Sequence, residues 1–265
     1  MNDLRAWCGH PLREHLRNTA LIVALDDDAL TRVADEAERA FGRRLRLEAL
    51  RREVLSSAVR LAAVLNMSVE EAHGLLKLAA YLHDVGKAAS AYQQRLETAE
   101  RRDPEKCPAQ LRGHEVLSAW LAWHLTYELF RTRGSADDVA TAVAAGVALH
   151  HSARRSIDDV LDDVLSAKFG REDLDKMWEA AGGAAEFWRA GAEWDEVLGY
   201  ASGRMKWEYL QTLNAALVKL RARLLRQWAV WGELVAYVIS LADNLDAALR
   251  RGDRRVAYVL EPLLL

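Results

Sequence analysis

Tyr81-Leu82-His83-Asp84-Val85-Gly86-Lys87 closes an apolar, helix-periodic run and places a His-Asp pair at its end. An imidazole and a carboxylate side by side are two metal ligands of different character. Alone, such a dipeptide means little. Here His15 precedes it, and His114, the doublet His150-His151 and Asp243 follow it. Neutral imidazole and carboxylate together suit two divalent transition-metal ions: manganese, iron, cobalt or nickel, with magnesium and zinc as further candidates. Asp84 is the natural bridging ligand, because its two oxygens can each face a different ion. His83 points about 100° away from it around a helix, so fraying at Val85-Gly86 lets both side chains converge on one cavity. His150-His151 repeats the adjacent layout at another expected helix end and can supply two nitrogens to a second ion. Asp243 lies in a long helical pattern among Ile239, Leu241 and Leu245, where a carboxylate is costly without a partner. Five histidines and two aspartates suffice for two ions, with positions left open for water and substrate.

The rest of the chain reads as the helical protein such a site needs. Half of its 265 residues are hydrophobic and only four are proline, a composition suited to an all-α fold with a sizeable core. We expect one domain over residues 1–265, since no repeat, low-complexity tract or Pro/Gly/Ser-rich linker divides it. No apolar run approaches a membrane span and no charged-then-apolar leader opens the chain, so no membrane partner is expected. Cys8 and Cys107 are distant and form no CxxC pair; neither a disulfide framework nor a zinc knuckle is expected, which fits a cytoplasmic protein. The formal net charge of -3 excludes a polycation that coats nucleic acid, so any such contact is local.

Helical periodicity predicts a first helix over about Leu12–Leu25, with Pro11 in its opening turn. A second starts at Asp26-Asp27-Asp28 and a third spans Leu47–Leu65. Ser68-Val69-Glu70-Glu71 reads as a capping box for the helix that ends at His83-Asp84, and a short helix passes through Tyr92 and Leu96. The charged stretch Glu100–Gly113 reads as a surface loop able to act as a lid. Helices resume at His114–Phe130 and Ala136–His151. Ser152–Gly203 is expected to be less regular. Two long helices follow, about Met205–Gln227 and Trp231–Leu249, and Val256–Leu260 is β-branched enough for an edge strand or an interaction segment. No sustained strand alternation is visible elsewhere.

Two ions a few ångströms apart activate a water and stabilise the attacking and leaving oxygens of an in-line displacement at phosphorus. Lys87 follows Asp84 by three residues and His83 by four, so it shares their face if the helix continues. There its cation can orient a substrate phosphate or steady developing negative charge. Other residues read more plainly. His73 and His124 are expected in the core, His10 in a loop, and Asp243 is preferred over Asp246 as the distal ligand. Trp120 and Trp123 sit at helical spacing beside Leu117 and Leu121, which predicts core packing rather than a base-stacking platform. Arg154-Arg155, and Arg101-Arg102, flank the proposed site in sequence and are candidates for gripping backbone phosphates. Arg250-Arg251 and Arg254-Arg255 are candidates for facing a partner.

A histidine, a later His-Asp pair and a distant aspartate are the hallmark of the HD superfamily of metal-dependent phosphohydrolases, which this chain resembles. Within it the chain is most similar to the HD nuclease of type I CRISPR systems. The resemblance is carried by Pro11-Leu12-Arg13-Glu14-His15-Leu16, Leu82-His83-Asp84-Val85-Gly86-Lys87-Ala88, Gly113-His114-Glu115, His150-His151 and Ala242-Asp243. It implies an HD-superfamily helical domain with a dinuclear metal site in its helical core. By the family's arrangement one ion is held by His15, His83, Asp84 and Asp243, the other by Asp84, His114, His150 and His151. Family members often carry glycines after the histidine doublet, whereas this chain has Ser152-Ala153-Arg154-Arg155, so a difference is expected at the substrate entrance. The family's nuclease is either fused to a helicase or made as a separate chain. No GxxxxGK[ST] phosphate loop is present here, so the resemblance implies a stand-alone subunit.

The expected function is therefore metal-dependent hydrolysis of phosphodiesters in single-stranded DNA during CRISPR interference, beside a separate helicase and a CRISPR surveillance complex, with Asp84 bridging and Lys87 assisting. Cutting from an end and cutting within a strand are both open. A second reading keeps the HD fold and changes the substrate to a nucleotide or cyclic nucleotide; the His-His-Glu…Gly-Tyr-Pro signature of cyclic dinucleotide hydrolases is absent after His150-His151. A third is a non-catalytic helical subunit with a structural metal site.

Overall fold

The computed structural model describes residues 4–103, 111–151, 169–188, 193–211, 213–251 and 263. It begins with a small antiparallel hairpin, β1 (Arg5–Trp7) and β2 (His10–Pro11), which the sequence pattern did not announce. Gly9 makes its turn with φ of 72°, a left-handed conformation that costs little only without a Cβ. His10, expected in a loop, is thus a strand residue and is buried. Cys8, in the same turn, is disulfide-bonded, against the expectation of no disulfide; Cys107 lies outside the described residues.

Helices make up nearly everything else that is described, so the fold is all-α as expected. α1 (Leu12–Ala24), α2 (Asp27–Phe41), α3 (Leu47–Leu65) and α4 (Val69–Leu82) follow in order. A 3-10 turn, Val85–Ala88, leads into α5 (Ser90–Arg102), then α6 (His114–Phe130) and α7 (Ala136–Leu149). The helix through Tyr92 therefore runs into the charged stretch as far as Arg102, and the expected lid falls largely on residues 104–110, outside those described. The stretch expected to be irregular contains α8 (Arg171–Ala181), a 3-10 turn Gly182–Phe187 and the start of α9 (Trp194–Gln211). The two long helices expected from Met205 onward are divided elsewhere: α9 ends at Gln211, and α10 (Leu213–Arg251) continues unbroken for 39 residues. The expected segment Val256–Leu260 lies outside the described residues.

The helix starts have local causes. Asp26 accepts the Ala29 N–H at 2.9 Å, and Asp27 and Asp28 place carboxylates at the positive end of the α2 dipole. Ser68 forms the expected capping box: its hydroxyl accepts the Glu71 N–H at 3.1 Å, and Glu71 Oε2 accepts the Ser68 N–H at 3.1 Å. Glu71 is also paired with Arg133. That pairing and the Ser68 N–H hold its carboxyl down to about 2, against an ordinary 4.5. The stability Glu71 adds is thus present above its unfolded value and lost as pH falls toward its folded one. Two outcomes are expected from thermal melts. Ser68→Ala lowers stability by about 1 kcal/mol near neutral pH, and Glu71→Gln flattens the loss of melting temperature between pH 4.5 and 2. An acid limb unchanged in Glu71→Gln would refute the assignment.

Packing brings the helix ends that matter to one centre. α7 lies between α6 and α10, and α1 packs on α4 and α10. α7 and α10 approach closely at Gly146 and Gly232: a Cβ on Gly146 would meet Val235 Cγ1 at 2.3 Å, and one on Gly232 would meet Ala145 Cβ at 2.6 Å. This contact sets α7, with His150 one turn beyond Gly146, against the helix that carries Asp243. Trp120 and Trp123 are buried, as their spacing predicts.

Candidate metal centre

α4 ends at Leu82 and His83 is its C-terminal cap. Asp84 follows with φ of -116° and ψ of 8°, in the bridge region between helix and strand. That departure from helical geometry turns His83 and Asp84 into the same cavity. Into it also point His15 from α1, His114 from the first turn of α6, His150 from the cap of α7, and Asp243 from α10. All six side chains are buried. His151 completes the group at its edge, with 39% of its side chain exposed.

Asp84 divides the histidines into two sets. Its Oδ2 lies 3.2 Å from His15 Nε2 and 3.4 Å from His83 Nε2. Its Oδ1 lies 2.7 Å from His114 Nε2 and 3.5 Å from His150 Nε2. Asp243 joins the first set, with Oδ1 at 3.3 Å from His15 Nε2 and 3.7 Å from His83 Nε2. Its other oxygen is 3.9 Å from His151 Nδ1. The facing ligand atoms of His15, His83, Asp84 and Asp243 all lie within 4.8 Å of one another, as do those of Asp84, His114, His150 and His151.

The tautomers follow from what holds the other ring nitrogen. Carbonyl oxygens only accept, so the histidine nitrogen beside each one carries the proton. His83 Nδ1 donates to Ala80 O at 2.7 Å, His150 Nδ1 to Val147 O at 2.6 Å, and His114 Nδ1 to Leu111 O. One device recurs: each histidine is tied to the carbonyl three residues before it, leaving an Nε2 lone pair for the cavity. His15 uses a carboxylate instead, with Nδ1 2.8 Å from Asp246 Oδ2.

These residues fit divalent cations. Asp84 Oδ1, His114 Nε2 and His150 Nε2 are buried and make no hydrogen bond although they are close together. Electron pairs aimed at a common point are costly without positive charge between them. In the first set His15 Nε2 stands 3.2 Å from His83 Nε2. Burial disfavours charge on His15, yet Asp243, Asp246 and Asp84 prevail and raise its pKa to about 10. Burial pushes His83 down. Burial likewise opposes charge on Asp84, but Lys87, His83 and His114 hold its carboxyl well below the usual range.

Lys87 does not continue the α4 face, because the helix has ended. From the 3-10 turn, its buried ammonium pairs directly with Asp84 Oδ2. Gln93 anchors that turn: its Nε2 donates to Lys87 O at 2.6 Å and to Arg5 O at 3.0 Å, and its Oε1 accepts the Arg5 N–H at 2.9 Å.

Arg154 and Arg155 lie outside the described residues, as do Arg254 and Arg255. Arg101 and Arg102 are exposed at the end of α5. His73 Nε2 donates to Val23 O at 2.7 Å, and His124 Nε2 to Glu208 at 3.1 Å; both are held away from the site, as expected. Two residues that the sequence reading set aside are neighbours of the site. Asp246, taken as the rival of Asp243, is present beside His15 together with it, Asp246 at Nδ1 and Asp243 at Nε2. The three-residue spacing of the pair, one helical turn, was the available signal. His10 stacks on Trp7 at 4.3 Å, and its Nε2 lies 3.8 Å from Asp246 Oδ2.

A helical core enclosing a His-Asp turn and converging histidines defines an HD-type fold. The family model described as Cas3, HD domain, matches residues 30–243. The chain belongs to this family, the metal-dependent HD hydrolases of CRISPR systems. His15 lies upstream of the matched span. Among solved structures, the chain is similar to the CRISPR-associated Cas3 HD domain protein of Methanocaldococcus jannaschii. Identity is 18% over 92% of this chain and 100% of that one, with a TM-score of 0.46. It is also similar to T. fusca Cas3, alone and with AMPPNP, at 16% identity and a TM-score of 0.38, covering 98% of this chain and 27% of that one. No curated protein matches the chain.

Proposed function

We propose that the protein is a metal-dependent nuclease that hydrolyses phosphodiester bonds in single-stranded DNA during CRISPR interference. It would act beside a separate helicase and a surveillance complex. The observation that carries this reading is the division of Asp84, one oxygen toward each group of inward-facing imidazoles. His15, His83, Asp84 and Asp243 would hold one cation, and Asp84, His114, His150 and His151 the other. Manganese, iron, cobalt or nickel suits this donor set best. Two such cations, when bound, supply an activated water and offset the charge that builds on a phosphate in displacement.

The chain's own groups do the rest. Three backbone carbonyls and Asp246 keep the histidines in the tautomer that presents Nε2. Burial of six of the seven side chains excludes bulk water, and the exposed edge at His151 admits substrate. Lys87 adds a fixed positive charge beside the bridging carboxylate.

Metal-stripped protein given manganese, cobalt, nickel or magnesium is expected to cut labelled single-stranded DNA, and to stay inactive in chelator. Hydrolysis of nucleotides or cyclic nucleotides with DNA untouched would transfer the reading to that class. Silence toward both would leave a structural metal site. Lys87→Ala is expected to lower turnover on the order of 10²-fold at saturating metal. Its affinity for the cation should stay equal or rise, because a competing ammonium leaves Asp84. Unchanged turnover would remove Lys87 from the chemistry.

A further inference from the structure

The two cation positions have unequal surroundings. His15, His83, Asp84 and Asp243 are all buried and include two carboxylates, whereas the group of Asp84, His114, His150 and His151 has one carboxylate and one exposed member. The histidines differ as well. His83, His114 and His150 donate Nδ1–H to neutral carbonyls. His15 donates instead to an ionisable carboxylate, Asp246, at 2.8 Å with both side chains buried, whereas the carboxylate nearest His114 Nδ1, Glu115, stands farther off at 3.4 Å from a nitrogen already held by Leu111 O. A carboxylate behind an imidazole fixes its orientation and raises its basicity as a ligand.

His10, His15 and Asp246 also lie within reach of one another, but not as a third cation position. The His15 nitrogen facing Asp246 already carries a hydrogen bond. Trp7 stacks on His10 at 4.3 Å and meets the His15 ring edge-on at 4.7 Å. The hairpin thereby braces the His15–Asp246 pair from behind.

We propose that Asp246 is a positioning residue that holds His15 with Nε2 toward the cavity, so that the His15–His83–Asp84–Asp243 position takes up a divalent cation before, and more tightly than, the His114–His150–His151 position. This rests on the reading of the site as a metal centre. The tight position is the resident one, and the open position exchanges its ion with solvent.

The test is calorimetric titration of the metal-free, full-length protein with manganese(II). The native chain is expected to show a tight step followed by a weaker one. Asp246→Asn keeps the side-chain volume and an accepting oxygen but removes the charge. It should weaken the tight step about 10- to 100-fold and alter the weak step much less. His151→Ala, at the exposed edge, should erase the weak step and keep the tight one. Two equal steps in the native chain, an unchanged tight step in Asp246→Asn, equal weakening of both steps by that variant, or loss of the tight step in His151→Ala would each overturn the ordering. A native chain that takes up no manganese sinks the metal-centre reading itself, an outcome visible before any variant is made.

Discussion

Asp84→Ala is expected to abolish metal-dependent cleavage and the uptake of both cations together. Its two oxygens stand against both histidine groups, Oδ2 beside His15 and His83 and Oδ1 beside His114 and His150, whereas Asp243 reaches the second group only at 3.9 Å from His151. If charge stabilisation by the cations is worth about 4 kcal/mol, its loss at 1.36 kcal/mol per tenfold slows turnover roughly 10³-fold. The same change strands the buried Lys87 ammonium, and breaking one side of a buried pair costs about 3–5 kcal/mol. Asp84→Asn, which keeps the volume, serves as the companion variant. Circular dichroism in chelator reports the fold, manganese titration the binding, and gel cleavage the turnover. A folded Asp84→Asn that still binds two cations and cuts at the native rate would remove Asp84 from the bridging position.

Gly86→Ala is expected to be among the most damaging small substitutions. A Cβ at Gly86 would stand 2.2 Å from the carbonyl oxygen of His114 and 3.0 Å from Ser118 Oγ. Ser118 Oγ accepts the Gly86 N–H at 2.8 Å, so turn and helix are already locked together. Backbone cannot step aside as a flexible side chain does, and the first turn of α6 must shift. Overpacking of this kind costs about 1–3 kcal/mol, or roughly 2–9 °C in melting temperature if each kcal/mol is worth about 2–3 °C. His114 moves with α6 while His15, His83 and Asp243 do not, so the affinity of the His114 group should fall more than that of the other. A native melting temperature together with native manganese binding would refute the close approach.

The residues that converge on the candidate centre were legible because their chemistry is expensive elsewhere. A carboxylate among Ile239, Leu241 and Leu245 asks for a partner, and His83-Asp84 at the end of an apolar run has few structural uses. Helices α1, α3, α4, α6 and α7 follow from periodicity, and the Ser68–Glu71 box marks one start outright. The hairpin was invisible because its strands are too short for alternation to register, and packing against His15 and Gln93 holds it in place. The expected interruption between Gln227 and Trp231 is absent, since Gly232 marks a crossing with Ala145 rather than a break. Asp246 was set aside for a different reason. Sequence treats two acids one turn apart as alternatives, and only the position of α1 beside them reveals that His15 engages both.

His15 and Asp246 meet across 231 residues of chain. At ribosomal speeds of about 5–20 residues per second, synthesis of that interval takes roughly 12–46 s. For most of this time, once Asp84 has been made, a nascent chain owns the His-Asp turn but lacks the helix that carries Asp243 and Asp246. Bringing such distant segments together is also a late, entropically costly step in folding. The group of His15, His83, Asp84 and Asp243 is therefore complete only with the docking of α10, which brings both Asp243 and Asp246 to His15.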